Sequence, residues 1–143
     1  ILLDAGSVER DLATLSRRYG LGVDPGAPVW QLGVGEQQRV EILRLLHLGA
    51  RILVFDEPTA VLTPQEAHAL IRTLRGMAAE GFCVVFISHK LDEVLAVAAR
   101  ITVMRRGSVV ASTTPAETDR RALARLMVGR DLEPTAGHRD GEY

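Results

Sequence analysis

The chain has 143 residues, of which 47% are hydrophobic and 24% are charged, with a formal net charge of −1 at pH 7. This length fits one domain with a core, the composition excludes a disordered chain, and the balanced charge gives no indication of a nucleic-acid partner. The apolar stretches are too short to span a membrane, and the first residues lack the order of a signal peptide, so we expect a cytoplasmic protein.

The first part of the chain has apolar residues at helical spacing. Ser7 is the predicted N-cap of a first helix with apolar residues at positions 8, 12, 15 and 19, and Gly20 ends it. Residues 21–31 contain two prolines and two glycines, which predicts a connector. A second helix is predicted from about residue 35 to residue 48, with a broad apolar face.

Two apolar runs then predict strands that are buried on both faces. The first, "RILVFDEP", ends at Asp56 and Glu57, and the second, "FCVVFISH", ends at His89. Between them "TPQE" at 63–66 is a capping box that begins a third helix. The single cysteine, Cys83, lies in the second run and is predicted to be a buried side chain and not a reactive thiol.

The remaining segments continue the alternation. A short helix is predicted at about 91–99, a strand at 101–105, and a turn at 106–107 that leads into a further strand at 108–112. Pro115 is predicted to open a last helix that ends near Gly129. Strands that alternate with helices predict an α/β fold with a mainly parallel sheet and flanking helices.

The ends of the two buried strands carry the first candidate site residues. In open α/β sheets ligands bind outside the carboxyl ends of the strands. The adjacent acids Asp56 and Glu57 suit a site where one carboxylate helps to hold Mg²⁺ and the other orients or deprotonates a water. An acidic strand end also occurs at helix caps and surface turns, and a lone histidine such as His89 often has a structural role.

A glycine-rich segment at the start of the second helix is the other candidate. Glycines at a helix start let an anion approach the backbone, where free N–H groups and the helix dipole attract it, so "LGVGEQQRVEI" is a candidate phosphate site. An ordinary glycine-rich N-cap has the same pattern. The fixed order of this segment, the acidic strand end and the histidine strand end favours the functional interpretation.

These three segments resemble the ATP-binding-cassette ATPases, most closely those that power bacterial import of simple sugars or nucleosides. "LGVGEQQRV" at 32–40 is similar to the family's signature motif, and "ILVFDEPTAVLTP" at 52–64 is similar to its Walker B segment and D-loop. "VVFISHKLDEV" at 84–94 is similar to its switch-histidine segment. The resemblance covers about residues 1–130 and implies part of a P-loop NTPase fold.

The resemblance also implies roles and cofactors. ATP and Mg²⁺ are the implied cofactors, with Asp56 acting on Mg²⁺ through water, Glu57 as the general base for the hydrolytic water, and His89 in contact with the γ-phosphate. The signature residues are implied to face nucleotide held by a second ATPase domain in a head-to-tail dimer; these are Leu32, Gly33, Val34, Gly35, Glu36 and Gln37.

The resemblance places residues 1–48 at the end of a helical subdomain and 49–130 in the core that runs from Walker B to the switch histidine and a terminal helix. Residues 131–143 are predicted to be a polar tail or a linker to a second cassette. No P-loop, GxxxxGK[ST], is found, because the single lysine, Lys90, follows His89. We therefore expect that the P-loop half of the domain is missing and that the isolated chain is inactive.

The leading hypothesis is ATP binding and hydrolysis that power sugar or nucleoside import through a membrane permease, at the inner face of the cell membrane. The alternative is a truncated or degenerate, non-catalytic cassette that gives only dimer or scaffold surface. The absent P-loop favours that alternative, as does Gly33, which stands where the signature usually has serine. A third hypothesis is an ATPase head from a DNA-repair or translation factor. Those proteins usually have long insertions or coiled coils, and this sequence shows none.

Overall fold

The computed structural model of the protein describes residues 5–129. These residues belong to two compact units, of which the first ends at Val97 and the second begins at Ala98. The polar segment predicted for 131–143 lies outside the described residues. Among the helices described, none has the length and apolar character needed to cross a membrane.

The first unit combines helices with a two-stranded parallel sheet. Its elements are α1 (Ala5–Arg18), α2 (Val34–His47), β1 (Ile52–Asp56), α3 (Pro64–Ala79), β2 (Cys83–Ile87) and α4 (Leu91–Val97). A single 3₁₀ turn precedes α2. The predicted order of elements and the α/β class are confirmed. The predicted capping box is also present, since Thr63 Oγ1 accepts from the backbone N–H of Glu66 and the Glu66 carboxylate accepts from the N–H of Thr63.

The core of this unit lies between the helices and one face of the sheet. Leu74 and Met77 of α3 have no exposed surface, and Leu53 of β1 is 1% exposed. Burial of such a side chain contributes about 1.5–3 kcal/mol, so this cluster holds the strands against the helices. Its buried members are Leu21, Ile42, Leu43, Leu46, Leu53, Phe55, Leu70, Leu74 and Met77.

The prediction that both strands are buried on both faces is wrong. Along β1 buried and exposed residues alternate, and Ile52 and Val54 are 69% and 63% exposed. Cys83 of β2 is exposed as well, against the prediction of a buried thiol. Successive side chains of a strand point to opposite faces, and the helices of this unit pack on one of them. An apolar run therefore identifies residues suited to burial, but it does not indicate which face of the sheet the helices cover.

The second unit contains a hairpin and a helix. β3 (Ile101–Arg105) pairs antiparallel with β4 (Ser108–Thr113), and α5 (Arg120–Val128) follows. Arg106 and Gly107 both have positive φ values, 50° and 78°, as a two-residue hairpin turn with the right-handed twist requires. The predicted turn is confirmed. Ile101, Val103 and Leu123 are buried.

Two predicted helix starts are wrong. Ser7 lies inside α1, which already includes Ala5, so it is not the N-cap. Pro115 lies in a turn closed by the Glu117 N–H to Thr114 carbonyl bond, and α5 begins five residues later. Asp119 caps α5 because its carboxylate accepts from Ala122 N over 2.7 Å. Satisfying a free N–H in this way favours the later start.

Candidate functional site

The parallel pairing of β1 and β2 brings the two predicted strand ends together. Asp56 is the register partner of Ile87, and the N–H of Glu57 donates to the carbonyl of Ile87 over 2.9 Å. Parallel strands present their carboxyl ends at one edge of the sheet, so the residues that follow each strand become neighbours. Glu57 and His89 consequently lie side by side.

Three donors surround the Glu57 carboxylate. One oxygen accepts from the backbone N–H of His89 over 3.0 Å and lies 2.7 Å from Nδ1 of the same residue. The other oxygen accepts from the Ser88 hydroxyl over 3.3 Å. An ionised carboxylate only accepts, so Nδ1 carries a hydrogen in this contact. The carboxylate is thereby fixed in orientation.

These contacts favour the ionised form of the Glu57 carboxyl. The hydrogen bond from the His89 side chain lowers the pKa of the Glu57 carboxyl below its ordinary value, and burial opposes this effect in part. The Glu57 side chain is 34% exposed and the His89 side chain is 71% exposed. An ionised, partly shielded carboxylate next to an exposed imidazole can accept a proton from a water at this edge.

The backbone of Glu57 is also unusual. Its φ is 45°, in the left-handed region that residues with a Cβ rarely adopt. Such a conformation costs on the order of 1 kcal/mol and persists only where surrounding structure holds it, often at functional sites. Here the bond to Ile87 and the carboxylate bonds to Ser88 and His89 hold it.

Asp56, the predicted Mg²⁺ residue, is the last residue of β1 and is exposed. Within residues 5–129, no three His, Cys, Asp or Glu side chains converge on one metal position. Mg²⁺ keeps several waters and usually binds through one or two carboxylates together with substrate phosphates. A single exposed carboxylate at the strand end fits that mode of binding.

The signature segment forms the start of α2. Gly33 is the N-cap, with φ −66° and ψ 161°, and its N–H donates to the Glu36 carboxylate over 2.9 Å. The N–H groups of Glu36 and Gln37 both donate to the Gly33 carbonyl, while those of Val34 and Gly35 belong to the free first turn of the helix. Val34 is 61% exposed. Free N–H groups at an exposed helix start fit a phosphate oxygen.

The side chains of this segment turn back on its own backbone. The Gln37 amide donates to the Leu32 carbonyl over 3.0 Å. Among the hydrogen bonds of the described residues, none joins Leu32 or Gln37 to Asp56, Glu57 or His89. The structure therefore brings the two strand ends together and leaves the signature as a separate surface.

One residue that the sequence did not single out links the two surfaces. The side-chain amide of Gln38, in α2, donates to the carbonyl of Pro58 over 2.9 Å, directly after Glu57. Beside the Glu57–His89 pair lie three further polar residues that contact one another, Thr59, Lys90 and Glu93. The sequence predicted no functional role for them. Thr59 lies 31 residues from Lys90 and 34 residues from Glu93, so no local pattern indicates its contacts with them.

Comparison with curated proteins places this geometry in a family context. Over 132 residues, 92% of the chain, it is 48% identical to the nucleoside import ATP-binding protein NupA of Lactococcus lactis. It is 41% identical over 138 residues to the ribose import ATP-binding protein RbsA of Chelativorans sp.. The chain spans about a quarter of these relatives, 26% and 27% of their length. No family model matches the chain.

Solved structures share the fold. CbiO1 from Clostridium perfringens, part of an ABC transporter complex, superposes with a TM-score of 0.69 at 26% identity, over 80% of this chain and 46% of that one. A dimeric bacterial ABC transporter cassette superposes with a TM-score of 0.63 at 23% identity, over 74% of this chain and 46% of that one. Sequence identity and shared fold together show that the chain belongs to the ATP-binding-cassette ATPases.

Proposed function

We propose that the chain is part of a nucleotide-binding domain that binds and hydrolyses ATP to power the import of a sugar or nucleoside through a membrane permease. The observation that carries the proposal is the contact between Glu57 and His89 at the carboxyl edge of the parallel pair. The names of the import relatives support the class of solute. The permease, and a second ATPase domain in a head-to-tail dimer, are the proposed partners, at the inner face of the cell membrane.

Each site residue has a proposed task. Glu57 takes a proton from the attacking water, His89 holds the Glu57 carboxylate in place and contacts the terminal phosphate, and Asp56 binds Mg²⁺ through water. ATP with Mg²⁺ supplies the phosphoryl group that the water attacks. The signature residues Leu32–Gln37 are proposed to face nucleotide on the second domain, through the first-turn N–H groups of α2. The orientation of the Glu57 carboxylate by His89 and Ser88 favours this function over the non-catalytic alternative.

The division of the chain follows the same proposal. Residues 1–48 end a helical subdomain, 49–130 form the core from Walker B to the terminal helix, and 131–143 are a tail or linker. Since the described sheet positions both strand ends within the first unit, the proposed catalytic pair needs no residue of the second unit to form.

The change Glu57→Gln tests the function in the natural protein that carries this chain. The amide keeps the shape and removes the base, so ATP turnover should fall by about 10² to 10⁴ while ATP binding persists. The control is Glu41→Gln, which removes an exposed carboxylate of α2 that pairs only with Arg44 among the contacts found. Wild-type turnover by Glu57→Gln would show that Glu57 is not the base.

A further inference from the structure

A polar cluster lies beside the catalytic pair and consists of Thr59, Lys90 and Glu93, here called the Thr59 cluster. Thr59 has no exposed surface, and the Glu93 and Lys90 side chains are 18% and 37% exposed. The Lys90 ammonium donates to the Thr59 carbonyl over 2.8 Å and to its hydroxyl over 3.2 Å, and lies 3.5 Å from the Glu93 carboxylate. The Thr59 hydroxyl donates to the other oxygen of that carboxylate.

The cluster joins the two turns that carry the catalytic pair. Thr59 stands two residues after Glu57, and Lys90 directly follows His89. Glu93 belongs to the first turn of α4 and its N–H donates to the Lys90 carbonyl over 3.0 Å, so the cluster is also anchored to a helix. A carboxylate that is largely removed from water is unfavourable unless it is paired. The Glu93 carboxylate is shielded in this way and is paired with the half-exposed Lys90 ammonium and the Thr59 hydroxyl, which restrains both turns.

The catalytic pair has few other restraints. The last bond of the β1–β2 pairing runs from Glu57 N–H to the Ile87 carbonyl, and the His89 ring is mostly in solvent. A largely exposed ring has little packing to fix it. Besides the bonds of the pair itself, two sets of contacts join the turns: the Ser88 hydroxyl, which donates to the Glu57 carboxylate over 3.3 Å, and the bonds of the Thr59 cluster.

We propose that the Thr59 cluster positions His89 against Glu57, with Lys90 as the positioning residue that ties the turn after β2 to the turn after β1. The proposal rests on the proposed function, in which Glu57 is the base. In this proposal the cluster acts through the two turns and does not itself contact the reacting water or the phosphate. It keeps the His89 N–H and Nδ1 on one carboxylate oxygen, so that the base stays oriented through the reaction.

The variants Thr59→Val and Thr59→Ser, in the natural protein that carries this chain, form the test. Valine keeps the shape of threonine and removes the hydroxyl, whereas serine keeps the hydroxyl. Hydrogen exchange at the His89 N–H, which donates to Glu57, should become about tenfold faster in Thr59→Val, and kcat for ATP should fall about tenfold with KM within about twofold of wild type. Thr59→Ser should restore both values.

A matched control separates positioning from general destabilisation. Ser16→Ala removes another buried hydroxyl of the first unit, which bonds only the backbone of Val23 among the contacts found. It should lower the free energy of unfolding without changing exchange at His89 or kcat. Lys90→Met, which keeps the apolar stem without the ammonium, should reproduce Thr59→Val, and it carries the test if the valine variant does not fold.

Two results overturn the proposal. One is a Thr59→Val or Lys90→Met protein that is less stable but has wild-type exchange at His89 and wild-type kcat, because the cluster would then be only structural. The other is a loss in Thr59→Ser as large as that in Thr59→Val. Since exchange at His89 does not depend on turnover, it reports on the cluster even if Glu57→Gln shows that Glu57 is not the base.

Discussion

His89 presents two donors to one oxygen of Glu57, its backbone N–H at 3.0 Å and its ring Nδ1 at 2.7 Å. One residue therefore helps to orient the proposed base and also favours its ionised form. The ring contact lowers the pKa of the Glu57 carboxyl, so the ionised form is favoured in the folded state.

The first prediction concerns acid stability. Because the pKa of Glu57 is lower in the folded state than in the unfolded chain, its contribution to stability is complete above about pH 5 and is lost as the pH falls through the folded value. Wild type should therefore lose more free energy of unfolding than Glu57→Gln between about pH 5 and about pH 3. Urea unfolding across this range measures the difference.

The control for this prediction is His89→Ala, which removes the ring but keeps the backbone donor. Its loss of stability on acidification should lie between those of wild type and Glu57→Gln. The same acid dependence in all three proteins would contradict the assignment of the lowered pKa to the His89 contact.

The second prediction concerns Gly33→Ser. The backbone of Gly33 is extended, with φ −66°, and an added Cβ would lie 3.6 Å from the Glu36 carboxylate, so serine fits without strain. Its hydroxyl completes a capping box with Glu36 and should add a few tenths of a kcal/mol to stability. In the natural protein a hydroxyl bond to phosphate should tighten ATP-dependent dimerisation about tenfold.

Gly26→Ser, in the connector before α2, is the matched control, because an added Cβ there would meet only Asp24 at 3.5 Å. It should leave dimerisation unchanged. Equal dimerisation and hydrolysis in wild type and Gly33→Ser, with the fold intact, would indicate that this signature does not engage nucleotide.

The third prediction concerns close packing at Gly35. A Cβ there would lie 2.8 Å from Glu66 Oε1 and 3.0 Å from a methyl of Leu62. The Glu66 carboxylate is held to Thr63 through its other oxygen, Oε2, and Leu62 also lies against this position. Gly35→Ala should therefore destabilise the chain by about 1 kcal/mol despite the better helix propensity of alanine. Denaturant unfolding of the two proteins measures this cost.

Two further variants identify the cause. Gly76→Ala, in α3, meets no atom within 4 Å and should stabilise the chain by about 0.5–1 kcal/mol. In a Glu66→Ala background the cost of Gly35→Ala should shrink, because the obstructing carboxylate is gone. Additive effects of Gly35→Ala and Glu66→Ala would disprove the steric explanation.

The fourth prediction concerns the link between α2 and the turn after β1. Gln38→Leu removes the donor to the Pro58 carbonyl and leaves that acceptor unpaired, so it should cost about 1 kcal/mol of stability. Gln65→Leu, at an exposed position of α3, is the control and should change stability by less than about 0.5 kcal/mol. Equal stabilities of wild type and Gln38→Leu would show that the bond is not maintained in solution.

Local patterns in the sequence determined much of the fold and the candidate site. The apolar runs before Asp56 and His89 predicted the two strand ends, and "TPQE" predicted the capping box of α3, because these features depend on residues close in the chain. A mainly parallel sheet was predicted from the alternation of strands and helices, and the parallel pairing of β1 and β2 in the structure makes Glu57 and His89 neighbours. The family resemblance was also carried by contiguous motifs.

Tertiary structure alone decided which surfaces are covered and which distant polar groups meet. The exposure of Ile52, Val54 and Cys83 depends on what packs against each face of the sheet, and an apolar run is equally compatible with one buried face or two. The contacts of Thr59 with Lys90 span 31 residues, a separation at which no sequence periodicity operates. Burial and long-range hydrogen bonding are properties of neighbours in space, and the chain acquires those neighbours only when it folds.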